Sequence, residues 1–409
     1  MVDEMKVLYV AHYFLPNMSA TVTTQEIIKM LSRKGHKVAL IAPRTYVADD
    51  PSAYQHFDGL TVRRAFTAIP KRIARRSKFA SMLTATLGYI SVFITGLRFS
   101  TTEGSLDAII VQHHPFHLAS LTSYLLSMII KVPLIVKIHD IVPGSPAKKK
   151  SEFIYGTTLS KINTVALAHA SSVLSHSTEV SKILVQLFGV AASKIEVFPN
   201  TVDLNFFSSA ENAAELRSNL GLDERKIVLF LGSAFENKGL GVLLRALHLI
   251  EDESIRLVVV GPCDKKYVEL AQRLHINHKV VFVGEVSHEL IPRHIHMADV
   301  CVGSLIARLM WYGLIPRKVI ECMACGKPVI VARGAVPEDL VEDGVSGVIV
   351  NSANEVEAAS KIESLMNDGV LRRFIGEGAR RVIAERYSTE KLADKLDDIL
   401  KASMLPKQD

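Results

Sequence analysis

The chain has 409 residues, of which 48% are hydrophobic and 22% charged, and a net charge of +6. That is too long for one ordinary core and too apolar for a disordered chain, so two globular domains are expected. Residues 1–200 carry 22 Lys and Arg against 12 Asp and Glu, about ten positive, which leaves the remainder about four negative. A basic half points to an anionic partner: a phosphorylated substrate, a lipid surface or nucleic acid. No nucleic-acid recognition motif accompanies it, so nucleic acid is not expected as a partner. The four cysteines all lie in the second half. Cys322 and Cys325 make a C-x-x-C, but no second Cys or His pair stands at zinc-ligand spacing, so small core residues in a reducing compartment are expected. The apolar run after Lys6 is short and leads straight into a strand pattern, which does not read as a signal peptide and fits a cytoplasmic protein.

In chain order, the first expected strand is Lys6–Ala11, followed by a loop from His12 to Pro16. A helix from about Thr24 to Lys34 ends at Gly35, a left-handed cap. Val38–Ala42 is the next strand. Residues 79–97 hold no charge between Lys78 and Arg98. They include several Ser, Thr and Gly residues, so a buried or interfacial helix is expected there, with a membrane span as the alternative. Ala108–Val111, a helix near Leu118–Ile130, Pro133–Ile138, Ser172–Ser175 and Lys194–Phe198 continue the alternation. A polar connection over about 200–225 leads to a second series: Ile227–Leu231, Leu257–Val260, Val280–Val283, Asp299–Val302 and Pro328–Val331. Short apolar strands alternating with helices imply an α/β chain with two Rossmann-like, doubly wound parallel sheets.

Two stretches carry chemistry. Gly232-Ser233-Ala234-Phe235-Glu236-Asn237-Lys238-Gly239 follows an expected buried strand and precedes a helix over Val242–Ile250. A loop there lies at the carboxyl edge of a sheet, where the helix N-terminus and Lys238 suit a phosphate. A plain strand–turn–helix with a surface lysine is the alternative. Pro316–Ile330 reads as a loop, a short helix with Glu321 near its start, a stop at Gly326 and a buried strand. A carboxylate in an otherwise apolar helix can accept both hydroxyls of a ribose, and Arg317 and Lys318 beside it could neutralise a diphosphate. A capping or salt-bridged glutamate beside exposed basic residues is the bland reading.

Taken in order, the motifs resemble one family. They are Arg33–Val38; His139-Asp140; Phe198-Pro199-Asn200-Thr201-Val202-Asp203; Gly232…Lys238-Gly239; Val260-Gly261-Pro262; Val281-Phe282-Val283-Gly284; Glu321–Ile330; Glu338–Val341; and Asp343–Val348. The ordered set is similar to that of GT-B-fold glycosyltransferases of the large retaining family 4 type, across nearly the whole chain. The resemblance implies an N-terminal acceptor domain over residues 1–205 and a donor domain over 206–388. It also implies a C-terminal helix from about Thr389 that returns to the first domain. It implies transfer of a sugar, of hexosyl type, from a nucleotide-sugar donor, with retention at the anomeric carbon. Lys238 would hold the donor diphosphate with Arg317 and Lys318, and Glu321 the ribose, with Gly232, Ser233 and Gly284 also binding the donor. His139 would face the transferring sugar, and a loop containing Asn17, Ser19 and Thr21 would lie near phosphate or acceptor.

The chain departs from the family at three points. The first Glu of the usual Glu-x7-Glu is Gly313 here. Ser233 stands where a basic residue is common, and Ser19-Ala20 replaces a Gly-Gly pair. No Asp-x-Asp metal motif appears, which suits a fold that stabilises its leaving group with cations and helix dipoles, so no metal or other cofactor is expected. A nucleotide-sugar 2-epimerase, which shares the fold, and a non-catalytic partner subunit are the alternatives. An epimerase would isomerise donor without acceptor; a non-catalytic subunit would bind donor without turnover. Finally, Lys71, Arg72, Arg75, Arg76 and Lys78 fall within eight residues, directly before the uncharged stretch. That pattern is expected to place the protein peripherally on the inner face of an anionic membrane, with a lipid or lipid-linked acceptor. A solvated basic turn before a core helix is the alternative.

Overall fold

The structure, a computed structural model, describes residues 4–11, 19–43, 60–65, 78–114, 118–139, 161–232, 238–307 and 315–404. The chain forms two compact units: Met1–Pro199 with Leu392–Asp409, and Asn200–Lys391.

Unit 1 is built on β1 (Lys6–Val10), β2 (Lys37–Pro43), β3 (Leu60–Ala65), β4 (Ala108–His113), β5 (Leu134–Ile138), β6 (Ser172–Ser175) and β7 (Ile195–Val197). These form a parallel sheet in the order β3-β2-β1-β4-β5-β6-β7. Val7, Leu8, Tyr9 and Val10 are all fully buried, so both faces of β1 are covered, as parallel crossovers require. The helix α1 (Ser19–Arg33) follows β1 and turns out at Gly35, whose φ of 84° takes the left-handed region. It starts five residues before the expected Thr24. Ser19, Ala20 and Thr21 are therefore its first turn and not part of a loop: their Ser/Thr/Ala sequence is compatible with helix, and the apolar face ahead, Ile27, Ile28 and Leu31, extends it backwards.

The uncharged stretch is helical: α2 spans Lys78–Thr102 and α3 spans Ala119–Ile130. The two touch at Gly96, where a Cβ would stand 2.5 Å from Leu126 Cδ2, so a glycine is what lets them close. Ile90 and Ile94 of α2 and Leu125, Met128 and Ile129 of α3 face outward. Among the described residues, no helix is long and apolar enough to cross a membrane.

The C-terminal helix Thr389–Met404 buries Leu392, Leu396, Ile399 and Leu400 in the same core as β1 and α1. His36, itself buried, fastens it. The ring accepts from Met5 N–H at Nδ1 (3.2 Å) and donates from Nε2 to Asp397 (3.0 Å).

Unit 2 holds β8 (Lys226–Leu231), β9 (Ile255–Val260), β10 (Val280–Gly284), β11 (Val300–Val302), β12 (Val329–Ala332) and β13 (Val348–Val350). They form a second parallel sheet in the order β10-β9-β8-β11-β12-β13. The expected polar connection contains two short helices, Leu204–Ser208 and Ala213–Asn219, the first capped by Asp203, whose carboxylate accepts from two backbone N–H groups. Each sheet reverses direction of winding once: between β1 and β4, and between β8 and β11. In open α/β sheets, ligands bind outside the strand ends at that switch point.

Candidate active site

In unit 2 three neighbouring strands end on glycines with positive φ. These are Gly232 after β8 (92°), Gly261 after β9 (128°) and Gly284 at the end of β10 (86°). Their backbones are laddered: Gly232 N–H donates to Val260 O (2.8 Å) and Gly261 N–H to Gly284 O (2.7 Å). A Cβ on Gly261 would lie 2.6 Å from Gly232 O, whereas Cβ atoms on Gly232 and Gly284 would meet nothing within 4 Å. The result is a row of three glycines at the strand ends that brings the backbones of β8, β9 and β10 close together.

Lys238 stands at the other end of the loop after β8. Gly239, the N-cap of α4 (Leu240–Leu249), has φ 83° and packs so closely on Leu305 that a Cβ would clash at 2.9 Å. Gly239 is thereby pressed against the segment after β11. Lys318 reaches the same place from α5 (Arg317–Ala324). Its Nζ lies 4.1 Å from the Phe230 ring centroid and 3.3 Å from Gly303 O. Burial of the ammonium, and then the charge of Lys238, push Lys318 down to about 7. Two lysines thus act on each other at the β8/β11 switch point, where an anion would favour the charged form of Lys318 again.

One turn further along α5 is Glu321. Pro316 precedes the helix and Arg317 begins it, so Glu321 sits mid-helix and not near its start: Pro316 fixes the entry and the basic pair that read as loop is helical. Oε1 of Glu321 accepts from His288 Nε2 (3.1 Å) and from Arg317 Nε (3.3 Å). Burial raises the carboxyl, but the His288 bond and the Arg317 charge outweigh it and hold Glu321 below the ordinary carboxylate range, so it stays ionised. Arg317 is buried and also reaches Thr201 O (3.3 Å), while Asn200 Nδ2 donates to Ile315 O (3.0 Å). Arg317 therefore faces a carboxylate and a carbonyl, and Lys318 is the one of the pair beside Lys238. His288 is itself oriented, stacked on Phe206 (5.7 Å between centroids, 19°) and edge-on to Phe207 (5.9 Å). His288, Phe206 and Gly261 had no assigned role in the sequence.

In unit 1 the ends of β4, β5 and β6 carry polar side chains where strands usually carry none. In the ladder Gln112 pairs with Lys137, and Lys137 with Leu174. Parallel partners share a sheet face and alternate residues return to it, so Gln112, Lys137, His139 and His176 lie on one face and His113 on the other. Gln112 Nε2 is 3.4 Å from His139 Nδ1, and His176 Nε2 is 3.2 Å from His139 O. His139 N–H completes the ladder onto His113 O (3.1 Å). Lys137, fully buried, donates to Phe198 O and is pushed by burial down to about 7. Burial, then Lys137 and His139, hold His176 well below the usual imidazole range, so it is neutral. Its Nε2 donates to His139 O, and its buried Nδ1 has no partner among the described residues.

Thr21 is buried in the first turn of α1. Asn17, Ser233, Gly313, Lys71, Arg72, Arg75 and Arg76 lie outside the described residues, as do the side chains of Ser19 and Lys78.

Residues 20–206 match Glycosyltransferase Family 4 and residues 212–382 match Glycosyl transferases group 1. An uncharacterized glycosyltransferase of Methanocaldococcus jannaschii is 24% identical over 384 residues, 91% of this chain and 92% of its own. The alpha-D-kanosaminyltransferase of Streptomyces kanamyceticus is 26% identical over 291 residues, 69% of this chain and 73% of its own. Among solved structures, Anabaena HepE in complex with UDP superposes with a TM-score of 0.76 at 20% identity, covering 97% of this chain and all of that one. The paired Rossmann-like sheets and the two adjoining family matches agree, and the chain belongs to the GT-B-fold glycosyltransferases of the group 1, family 4 type.

Proposed function

We propose that this glycosyltransferase takes a hexosyl unit from a UDP- or GDP-type nucleotide sugar and retains the anomeric configuration. The observation that carries the proposal is the spacing within α5. An ionised, buried Glu321 lies one turn from Lys318, which meets Lys238 at the switch point of unit 2. A nucleoside diphosphate offers hydroxyls to the first and phosphates to the second and third. Arg317 and His288 hold Glu321, and the row of glycines at the strand ends is assigned to the donor. In the reaction, negative charge grows on the departing diphosphate, where Lys238 and Lys318 stabilise it more in the transition state than in the ground state. By the family resemblance, His139 is assigned to the transferring sugar, and Asn17, Ser19 and Thr21 to the phosphates or the acceptor. A calorimetric screen of UDP, GDP and ADP and their sugars tests the donor reading: binding of none of them overturns it. NMR of the anomeric proton in the first-formed product tests retention.

The acceptor is proposed to be lipid-linked, with the protein held at an anionic membrane surface. The helix α2 begins at Lys78, the last residue of the basic run, and carries the uncharged stretch 79–97, while α3 adds the outward-facing Leu125, Met128 and Ile129. A basic run supplies about 1 kcal/mol per residue toward anionic lipid. Co-sedimentation with phosphatidylglycerol vesicles is expected at low salt, weakened by salt and by changing Arg72, Arg75 and Arg76 to Ser. No pelleting at low salt refutes surface attachment.

A further inference from the structure

We propose that Arg317 is a positioning residue that ties the ribose-binding carboxylate to the two segments by which the chain enters and leaves unit 2, so that a nucleoside at Glu321 is felt at both crossings. The proposal rests on the donor reading of Glu321 made above.

The chain passes from unit 1 into unit 2 between Pro199 and Asn200 and returns between Lys391 and Leu392. The first two residues of unit 2 are fastened to the start of α5. Asn200 Nδ2 donates to Ile315 O (3.0 Å), and Arg317, the first residue of the helix, donates from Nη1 to Thr201 O (3.3 Å). The next residue carries the strap to the second crossing. Val202 N–H donates to Tyr387 O (3.0 Å) and Thr389 N–H donates to Val202 O (3.1 Å), which makes a parallel bridge between Val202 and Ser388. Thr389 begins the C-terminal helix, shortly before that helix passes into unit 1. The helix that carries Lys318 and Glu321 is thus bonded to the entry segment, and the entry segment to the exit segment.

Arg317 links this series to the donor residues. Its Nε lies 3.3 Å from Glu321 Oε1, one turn along the helix, and both side chains are buried. Nε and Nη1 belong to one planar guanidinium, so the two bonds do not move independently: a shift of the carboxylate is passed to the Thr201 carbonyl. A single ammonium would balance the charge of Glu321. A buried fork that also reaches a carbonyl 116 residues away in the chain joins two places. Ribose hydroxyls donating to Glu321 fix the carboxylate, and with it the guanidinium, and so order Thr201 and Val202. Lys318 lies outside the series, since it reaches Gly303 O and the Phe230 ring. The relay therefore distinguishes a ligand with a ribose from one without. On the other side of Pro199 the chain is held separately. Phe198 N–H donates to Ser175 O (2.7 Å), and Phe198 O accepts from Lys137. Ordering of the entry segment then acts on Pro199 and Asn200, between two anchored stretches.

Hydrogen exchange reads the relay, with the amides of Val202 and Thr389 as reporters, because their bonds join the two crossings. In the wild type, saturating UDP, or GDP if UDP does not bind, should slow both amides about tenfold or more, and inorganic pyrophosphate less than about twofold. Calorimetry on the same samples records which ligands bind. Arg317→Lys keeps a charge opposite Glu321 but loses the fork. In that variant the saturating nucleotide should protect the two amides less than about twofold, a loss that a residue acting only as a counter-charge does not produce. If the lysine variant folds poorly, the comparison of the two ligands on the wild type still decides. A nucleoside diphosphate that binds without slowing these amides overturns the proposal and leaves the donor reading standing. So does pyrophosphate that slows them equally, or full protection in Arg317→Lys. Failure of UDP, GDP and ADP alike to bind overturns the donor reading, and the proposal falls with it.

Discussion

Glu321→Gln is expected to bind UDP or GDP about ten- to a hundredfold more weakly than the wild type while binding inorganic pyrophosphate equally well. The expectation comes from what the carboxylate has to offer. Oxygen Oε1 is occupied by His288 and Arg317. A ribose hydroxyl accepted by an ionised oxygen in a buried site contributes about 1.5–3 kcal/mol, which is that range of affinity. Pyrophosphate has no ribose and should not notice. Glutamine is the better replacement because its amide oxygen can still accept from Arg317, whereas alanine removes the Glu321 oxygen from that buried guanidinium altogether. Breaking a buried pair in that way costs about 3–5 kcal/mol of stability and would confuse binding with folding. Isothermal titration with both ligands decides the matter. If pyrophosphate weakens in parallel, Glu321 acts by holding α5 in place and the ribose assignment is wrong. His288→Phe should show a smaller loss in the same direction, since it removes one of the two groups that orient the carboxylate but keeps the stack on Phe206.

The two sheets were legible in the sequence because parallel strands buried on both faces are unbroken apolar runs, and runs such as Ile227–Leu231 and Leu257–Val260 admit few other readings. What was lost lay at edges and ends. The strand β3, Leu-Thr-Val-Arg-Arg-Ala, sits at the edge of its sheet, where Arg63 is exposed, so its pattern is half polar and gives no clear strand signal. The run read in β4 stops at Val111, yet the strand continues through Gln112 and His113, both fully buried. Polar residues inside a sheet break the apolar signal where the structure uses them. The glutamate of α5 was visible from its motif, but its partner His288 lies 33 residues away and is brought to it only by the fold. Arg317 and Lys318 looked interchangeable as neighbours in a basic pair. Helical geometry turns consecutive residues by about 100°, and this sends one to Glu321 and the other to Lys238.

That separation gives the last prediction its sign. Binding of a nucleotide sugar is expected to take up close to one proton at about pH 8, and the affinity to fall nearly tenfold for each pH unit above about 7. Burial first, and then the charge of Lys238, bring Lys318 down to about 7 in the free protein. Above that pH its amine is mostly neutral. A diphosphate brought between the two lysines favours the ammonium and lifts Lys318 back toward the ordinary lysine range. Between the free and bound values the complex holds one proton more than its components, so binding weakens as pH rises through that window and flattens below it. A nucleotide sugar is the right ligand because its diphosphate diester has no proton of its own to exchange near neutrality. Calorimetry in buffers of different ionisation heat reads the proton number directly. In Lys318→Met the uptake should vanish, the affinity should become flat between about pH 7 and 9, and below pH 7 the variant should bind about ten- to a hundredfold more weakly than wild type. Zero proton uptake in the wild type, with an affinity unchanged across that range, would show that Lys318 does not touch the diphosphate. Lys238 would then hold the leaving group with the N-terminus of α4 alone.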